Sequence, residues 1–283
     1  MPELPEVETV KLQLQKFLIG HEILDVEIKH PKIFTGEGKS IVKTKIVDVR
    51  RFAKVLSIDL ANGNSMVIHI KLTGQLVYRG PNLKDPRTLS KKVVGGVPGP
   101  HTHVIFTLDR GGRLYYNDIR RFGWIKIVES SKLKVQNEFL KNLGPEPFKD
   151  LTKAKFKEIL GSTKRAVKVV LMDQTKIGGV GNIYANDALW LARVAPGRPA
   201  NELSKKQTED LYKAILKVLK EGLKRGGASE LAFVTPDGAE GEYQKHFLVY
   251  GQTGKLCTHC KKSKLKKVML GGRGTYFCPS CQG

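Results

Sequence analysis

At 283 residues the chain is long enough for about two domains, each with a core of its own. Its 49 Lys and Arg against 27 Asp and Glu give a net charge of +22 and a pI near 9.8, more than solubility asks for and most simply read as attraction to a polyanion, nucleic acid first. No apolar run approaches the roughly 20 residues of a spanning helix and the opening is acidic, which excludes a membrane-spanning class and sets the expectation of a soluble, intracellular protein.

The chain opens Met1-Pro2-Glu3-Leu4-Pro5-Glu6-Val7-Glu8, and Val7, Val10, Leu14, Phe17 and Leu18 recur at the spacing of a helix from Pro5 to about Leu18, ended by Gly20. Removal of Met1 would leave the ring nitrogen of Pro2 as a free secondary α-amine. Such a group titrates near 7.7–8.0, so roughly a seventh of it is unprotonated at pH 7. Its attack on a sugar C1′ gives an iminium, an electron sink that favours elimination. Glu3 and, one turn on, Glu6 offer carboxyl groups to move protons at the sugar oxygens. The same residues also suit a helix start, with Pro5 in the first turn and acids at the positive end of the dipole.

From Ile23 to Val128 apolar residues alternate, as in Ile23 to Ile28, Lys45 to Leu60, Met66-Ile68-Ile70-Leu72, Val104 to Leu108, Arg113 to Tyr116 and Phe122 to Val128, with turns at Ala61-Asn62-Gly63 and Arg110-Gly111-Gly112. The pattern predicts an antiparallel sandwich or barrel closing a first domain over residues 1–130. Arg79 to Pro100, rich in Gly, Pro and Lys, reads as a long surface loop. Gly144-Pro145-Glu146-Pro147 then breaks the chain before a helical half over 145–227, with helices expected at about Thr152–Leu160, Thr163–Met172, Asn182–Val194 and Ser204–Lys224. Gly226-Gly227 stops the last of these. Residues 228–254 read as a mobile segment and connection, and 255–283 as a cysteine-bearing hairpin. The fold class expected is thus α+β in more than one domain.

Cys257-Thr258-His259-Cys260 and Cys278-Pro279-Ser280-Cys281 stand 17 residues apart, the spacing of a four-cysteine zinc ribbon, so one structural Zn²⁺ is expected on Cys257, Cys260, Cys278 and Cys281, with His259 outside the ligand set. Between them, Lys261, Lys262, Lys264, Lys266 and Lys267 and a tip at Gly271-Gly272-Arg273-Gly274 make either a phosphate-binding finger or a solvated hairpin. Gly178-Gly179-Val180-Gly181-Asn182-Ile183-Tyr184 joins two helical patterns; it is a turn that can bind an anion, with Asn182 capping the next helix, or a purely structural one. His69 to Gly74 and Asp118 to Gly123 put large side chains at strand ends, either as core residues beside solvated arginines or as the wedge that an enzyme extruding a base requires.

The opening octapeptide resembles that of the formamidopyrimidine-DNA glycosylase family, and the remaining motifs are similar to that family's in the same order. The resemblance implies a helix-two-turn-helix domain around Asn182, whose side chain contacts DNA phosphate. It implies Pro2 as nucleophile, Glu3 as acid partner and Glu6 as helper, with Lys54 and His69, and also Tyr250, as DNA contacts near the target. Arg273 resembles the arginine that grips the backbone at the lesion. Leu72, Arg120 and Phe122 correspond to the wedge, leucine standing where methionine is usual and keeping the volume with less flexibility. The implied activity is excision of 8-oxoguanine and formamidopyrimidines from double-stranded DNA by a monomer, followed by β,δ-elimination at the abasic site. Two alternatives remain at this point: an endonuclease VIII-like enzyme for oxidised pyrimidines, and a non-catalytic nucleic-acid-binding zinc-ribbon protein.

Overall fold

Helix α1 (Leu4–Leu18) begins where Glu3 and Glu6 form a capping box, with Pro5 in its first turn, and it buries Val7, Val10, Leu14, Phe17 and Leu18. The computed structural model that shows this describes residues 1–83, 89–133 and 137–282. They fall into two compact units, one of Met1–Lys141 with Leu223–Gln244, the other of Asn142–Gly222 with Lys245–Gly283.

In the first unit α1 packs on a nine-stranded sheet. Its strands are β1 (Glu22–Ile28), β2 (Phe34–Thr35), β3 (Thr44–Phe52), β4 (Val55–Leu60), β5 (Asn64–His69), β6 (Gly74–Arg79), β7 (Thr102–Leu108), β8 (Arg113–Asp118) and β9 (Trp124–Glu129), in the order β2-β9-β5-β4-β3-β1-β7-β8-β6. The sheet is mixed, where a purely antiparallel one was expected. Two-residue β2 runs parallel to β9, pairing Phe34 with Ile125, while the other pairings are antiparallel. Alternating polarity reports which face a side chain takes and is blind to strand direction, so this pairing left no mark in the pattern.

Strands β1 and β3 meet over only two pairs, Glu22 with Lys45 and Ile23 with Thr44, and fold the sheet into two halves. Ile46, Val49, Leu56, Ile58, Met66, Ile68 and Ile125 from one half share a core with Leu76, Tyr78, Val104, Phe106, Leu114 and Tyr116 from the other. Two short connections, residues 70–73 from β5 to β6 and 119–123 from β8 to β9, run from one end of the strand order to the other. Four or five residues span at most about 18 Å, so these ends must lie close together. Helix α2 (Glu138–Lys141) follows the sheet.

After Arg79, the last residue of β6, the expected loop to Pro100 carries no helix or strand among its described residues; residues 84–88 of it lie outside them. The segment expected to stand apart at 228–254 is divided between the units at residue 244. Its first part covers edge strand β6: the Tyr78 N–H donates to the Pro236 carbonyl (2.8 Å), the Gln75 amide to that of Ala232 (2.6 Å), and Phe233 enters the main core.

The second unit contains α3 (Lys153–Gly161), α4 (Val167–Met172), α5 (Asn182–Leu191), most of α6 (Lys205–Lys224) and the hairpin of β10 (Lys266–Leu270) and β11 (Arg273–Phe277). Thr152 caps α3 through its hydroxyl. Helix α4 starts four residues later than expected because Ala166 pairs with Pro199 as a β-bridge and the Val167 N–H is taken by the Arg198 carbonyl (2.8 Å). Helix α5 stops at Leu191, short of the expected Val194, where Arg193 adopts a left-handed φ of 56°. No helix among the described residues is long and apolar enough to cross a membrane.

Candidate functional site

Pro2, Glu3 and Glu6 are all buried at the head of α1. The Glu3 N–H donates to Glu6 Oε2 (2.7 Å), and the Ala228 N–H donates to Glu6 Oε1 (2.7 Å). One carboxylate therefore ties the residue after Pro2 to the chain that follows α6. Gly227, with φ +83°, makes this approach possible: a Cβ there would stand 2.8 Å from Glu6 Cγ.

Lys54 is buried in the two-residue turn between β3 and β4, after Ala53 at φ 51°. Arg51, just before it, binds the Glu8 carboxylate of α1 through Nε (2.6 Å) and the Ala53 carbonyl through its guanidinium (2.9 Å), locking the turn to the helix. His69 at the end of β5 is packed against Trp124 and Phe139. Burial first, then the charges of Lys71 and Lys54, pull its pKa down to about 3, so the ring is neutral. Its Nδ1 accepts the Lys71 N–H (3.0 Å), which assigns the proton to Nε2 and makes that nitrogen a donor.

Leu72, Arg120 and Phe122 sit on the two short connections of the sheet, which the strand register holds side by side: Gly74 pairs with Asp118 and His69 with Trp124. Phe122 is 53% exposed, Arg120 is exposed, and its guanidinium lies 4.6 Å from the Phe122 ring centre. Leu72 is half-buried. An exposed phenylalanine under an arginine is not a core arrangement, which removes the core reading of this segment.

In the second unit the glycine turn is braced by Gln174, whose Oε1 accepts the Gly179 N–H (2.9 Å) and whose amide donates to the Met172 and Val180 carbonyls. Asn182 does not cap α5 as expected. Gly181 holds the N-cap and Asn182 is the first helical residue, half-buried, its Oδ1 accepting from the Asn186 amide (3.2 Å). The helix begins one residue earlier than a cap at Asn182 would place it, a detail of φ and ψ that the sequence does not carry.

Arg273 is exposed at the start of β11, immediately after a two-residue turn at Gly271 (φ 57°) and Gly272 (φ 71°), the type I′ pattern. The hairpin is gripped from beneath by Lys168, wholly buried in α4, whose ammonium donates to the Gly274 carbonyl (3.1 Å) and the Thr275 hydroxyl (2.7 Å). Asn186 accepts the Tyr276 N–H (2.8 Å). Tyr250 lies against the Tyr276 ring, 5.0 Å between centres, and its N–H, with those of Leu248 and Val249, converges on the buried carboxylate of Asp187.

The four cysteine sulfurs lie within 4.8 Å of one another, with Cys257–Cys281 at 3.9 Å and Cys260–Cys278 at 3.7 Å. A tetrahedron with metal–sulfur bonds of about 2.3 Å has edges of about 3.8 Å, so the set fits a single metal ion. Backbone N–H groups of Ser263 and Lys262 pull the Cys260 thiol down to about 6, whereas burial and the neighbouring sulfurs push Cys281 up to about 12. Four thiolates so close together need a cation among them. Trp190 Nε1–H points at Cys257 Sγ (3.4 Å), and His259 contacts Arg193 instead of joining the cluster.

Lys168, Asn186, Asp187 and Asp118 were missed by sequence reasoning. Lys168, Asn186 and Asp187 are polar residues inside the apolar stretches VKVVLM and NIYANDALWL, and that is the available signal, since such a group must find a buried partner; Asp118, between Asn117 and Ile119-Arg120-Arg121, carries no such mark.

Residues 1–125 match the formamidopyrimidine-DNA glycosylase N-terminal domain and residues 143–233 the formamidopyrimidine-DNA glycosylase H2TH domain. The chain is 39% identical over 288 residues to formamidopyrimidine-DNA glycosylase of Pelotomaculum thermopropionicum, covering 100% of this chain and 99% of that protein, and 36% identical to its namesake in Streptococcus pyogenes, covering 100% and 98%. Among solved structures, Lactococcus lactis Fpg in complex with DNA containing an abasic site superposes with a TM-score of 0.85 at 31% identity, over 99% of each chain. The chain belongs to the formamidopyrimidine-DNA glycosylase family.

Proposed function

We propose that this protein is a base excision repair enzyme that removes oxidised purines, 8-oxoguanine and formamidopyrimidines, from duplex DNA and then cuts the abasic site. The observation that carries the reading is the buried Pro2-Glu3-Glu6 constellation, in which a nucleophile and two carboxyl groups are held at one helix head by the Glu6 clamp. With Met1 removed, the Pro2 nitrogen attacks C1′ of the extruded nucleotide, the bond from C1′ to the base breaks, and Glu3 supplies the proton that opens the sugar at its ring oxygen. The resulting iminium acidifies C2′; loss of that proton expels the 3′ phosphate, a second elimination expels the 5′ phosphate, and water releases Pro2. A single-nucleotide gap remains.

His69, by donating through Nε2, and Lys54 hold phosphates near the target, while Leu72, Arg120 and Phe122 fill the gap left by the extruded nucleotide. Asn182, Tyr250 and Arg273 contact the backbone from the second unit. Cys257, Cys260, Cys278 and Cys281 would hold Zn²⁺, which would cross-link the hairpin. Full-length similarity to the Lactococcus lactis enzyme crystallised on DNA with an abasic site, and on DNA with N7-benzyl-Fapy-dG, supports damaged DNA as the partner.

A second reading rests on another complex of that relative, with DNA containing an oxidised pyrimidine. Borohydride trapping on duplexes carrying 8-oxoguanine opposite cytosine, thymine glycol, or no damage separates them. The expected result is an adduct on Pro2 favouring 8-oxoguanine. Preference for thymine glycol would transfer the protein to the pyrimidine reading, and zinc-loaded protein without Met1 that forms no adduct would remove the enzymatic one.

A further inference from the structure

We propose that Thr73 and Asp118 form a clasp that joins the two wedge-bearing connections into one rigid unit, so that Leu72 enters the duplex together with Arg120 and Phe122. The inference rests on the wedge reading given above. Asp118, at the end of β8, is wholly buried. Its Oδ2 accepts the Gly123 N–H (2.8 Å) and lies 3.5 Å from the Tyr116 hydroxyl; its Oδ1 accepts the Arg120 N–H (3.2 Å) and, at short range, the hydroxyl of Thr73. The Thr73 oxygen in turn accepts the same Arg120 N–H (3.1 Å). His103 Nε2 donates to the Asp118 carbonyl (2.8 Å), fixing the carboxylate-bearing residue from the other side.

The placement of these bonds carries the argument. One carboxylate anchors the backbone at Arg120 and at Gly123, the two ends of the segment whose side chains project outward, and the Thr73 hydroxyl fastens the residue after Leu72 to the same point. Gly123 can reach it because it has no side chain, since a Cβ there would stand 1.8 Å from the Tyr116 hydroxyl. Entering a base stack has to overcome the stacking of the bases, and a loop free to retreat would give way before the stack did. A wedge set on fixed backbone transfers that resistance to the sheet. Thr73 and Asp118 touch neither sugar nor base in this scheme; they are positioning residues.

The test compares single-turnover excision of 8-oxoguanine paired with cytosine against cleavage of the same duplex carrying an abasic site, which has no base to unstack. T73V keeps the branched shape and loses the hydroxyl, whereas T73S keeps the hydroxyl. The ratio of excision to abasic-site cleavage should fall about tenfold in T73V, return to within about threefold in T73S, and fall at least as far in D118N, whose amide would face N–H donors. Leu72→Ala and Phe122→Ala serve as references. If they leave the ratio unchanged, the wedge reading fails and takes the clasp with it. If they lower it while T73V does not, or if T73S falls as far as T73V, the clasp alone is overturned. Should D118N fail to fold, the T73V and T73S pair still decides.

Discussion

His69 shows how far a single residue can be taken. With its pKa drawn from 6.5 to about 3 by burial and by Lys71 and Lys54, it stays neutral wherever the protein is folded and active. The unfolded chain binds a proton at this residue below about pH 6.5 and the folded chain does not. Stability should therefore be unaffected by His69 above pH 6.5 and fall by about 1.4 kcal/mol per pH unit as the pH drops toward 3. Urea unfolding of the wild type and His69→Gln between pH 7 and 4 checks this: the variant should lose the acid slope due to this residue, and equal slopes would contradict the assignment. At this scale the sequence was legible where spacing encodes a cluster, as in the two cysteine pairs, and where a motif marks the family, as in the opening octapeptide. It was not legible for Lys168, Asp187 or Asp118, because their partners come from strands and loops far away in the chain.

At the scale of elements, the head of α1 and the chain after α6 act as one piece through Glu6. Gly227→Ala should displace the Glu6 carboxylate, both by its left-handed backbone and by the 2.8 Å approach of the new Cβ. Borohydride trapping on the lesion duplex should drop by about tenfold or more while affinity for undamaged duplex changes little. Parallel loss of both would mean that the substitution unfolds the unit instead of displacing one carboxylate. The cysteine hairpin makes a separate prediction. Chelation should free β10 and β11, exposing Tyr276 and weakening DNA binding, whereas the sheet unit should keep its own thermal transition. Amide exchange of the chelated protein would show this, and retained protection in β11 would count against a structural metal. Helix periodicity located α1, α3 and α6 well. The start of α4 and the end of α5 were misjudged because the Ala166–Pro199 bridge and the turn at Arg193 depend on tertiary contacts.

For the whole molecule, a net charge of +22 should make DNA binding an ion-exchange reaction. The plot of log affinity against log salt should have a slope of roughly −4 or steeper, measurable by fluorescence anisotropy with an undamaged duplex. A slope near zero would remove the electrostatic account of the composition. Length and composition announced two bodies, but not that residues 223–244 return to the first, since a return of the chain has no local signature.

The connections at 70–73 and 119–123 carry a consequence for how such a protein can change. The same short stretches that close the sheet on itself also display Leu72, Arg120 and Phe122. Chain length there is fixed by the fold, since an inserted residue would pry the halves of the sheet apart or slip the pairing of β6 with β8. Side-chain identity is free to drift. Divergence at these positions should therefore proceed by substitution and not by insertion, with leucine at position 72 one example of a variation that the closed sheet permits.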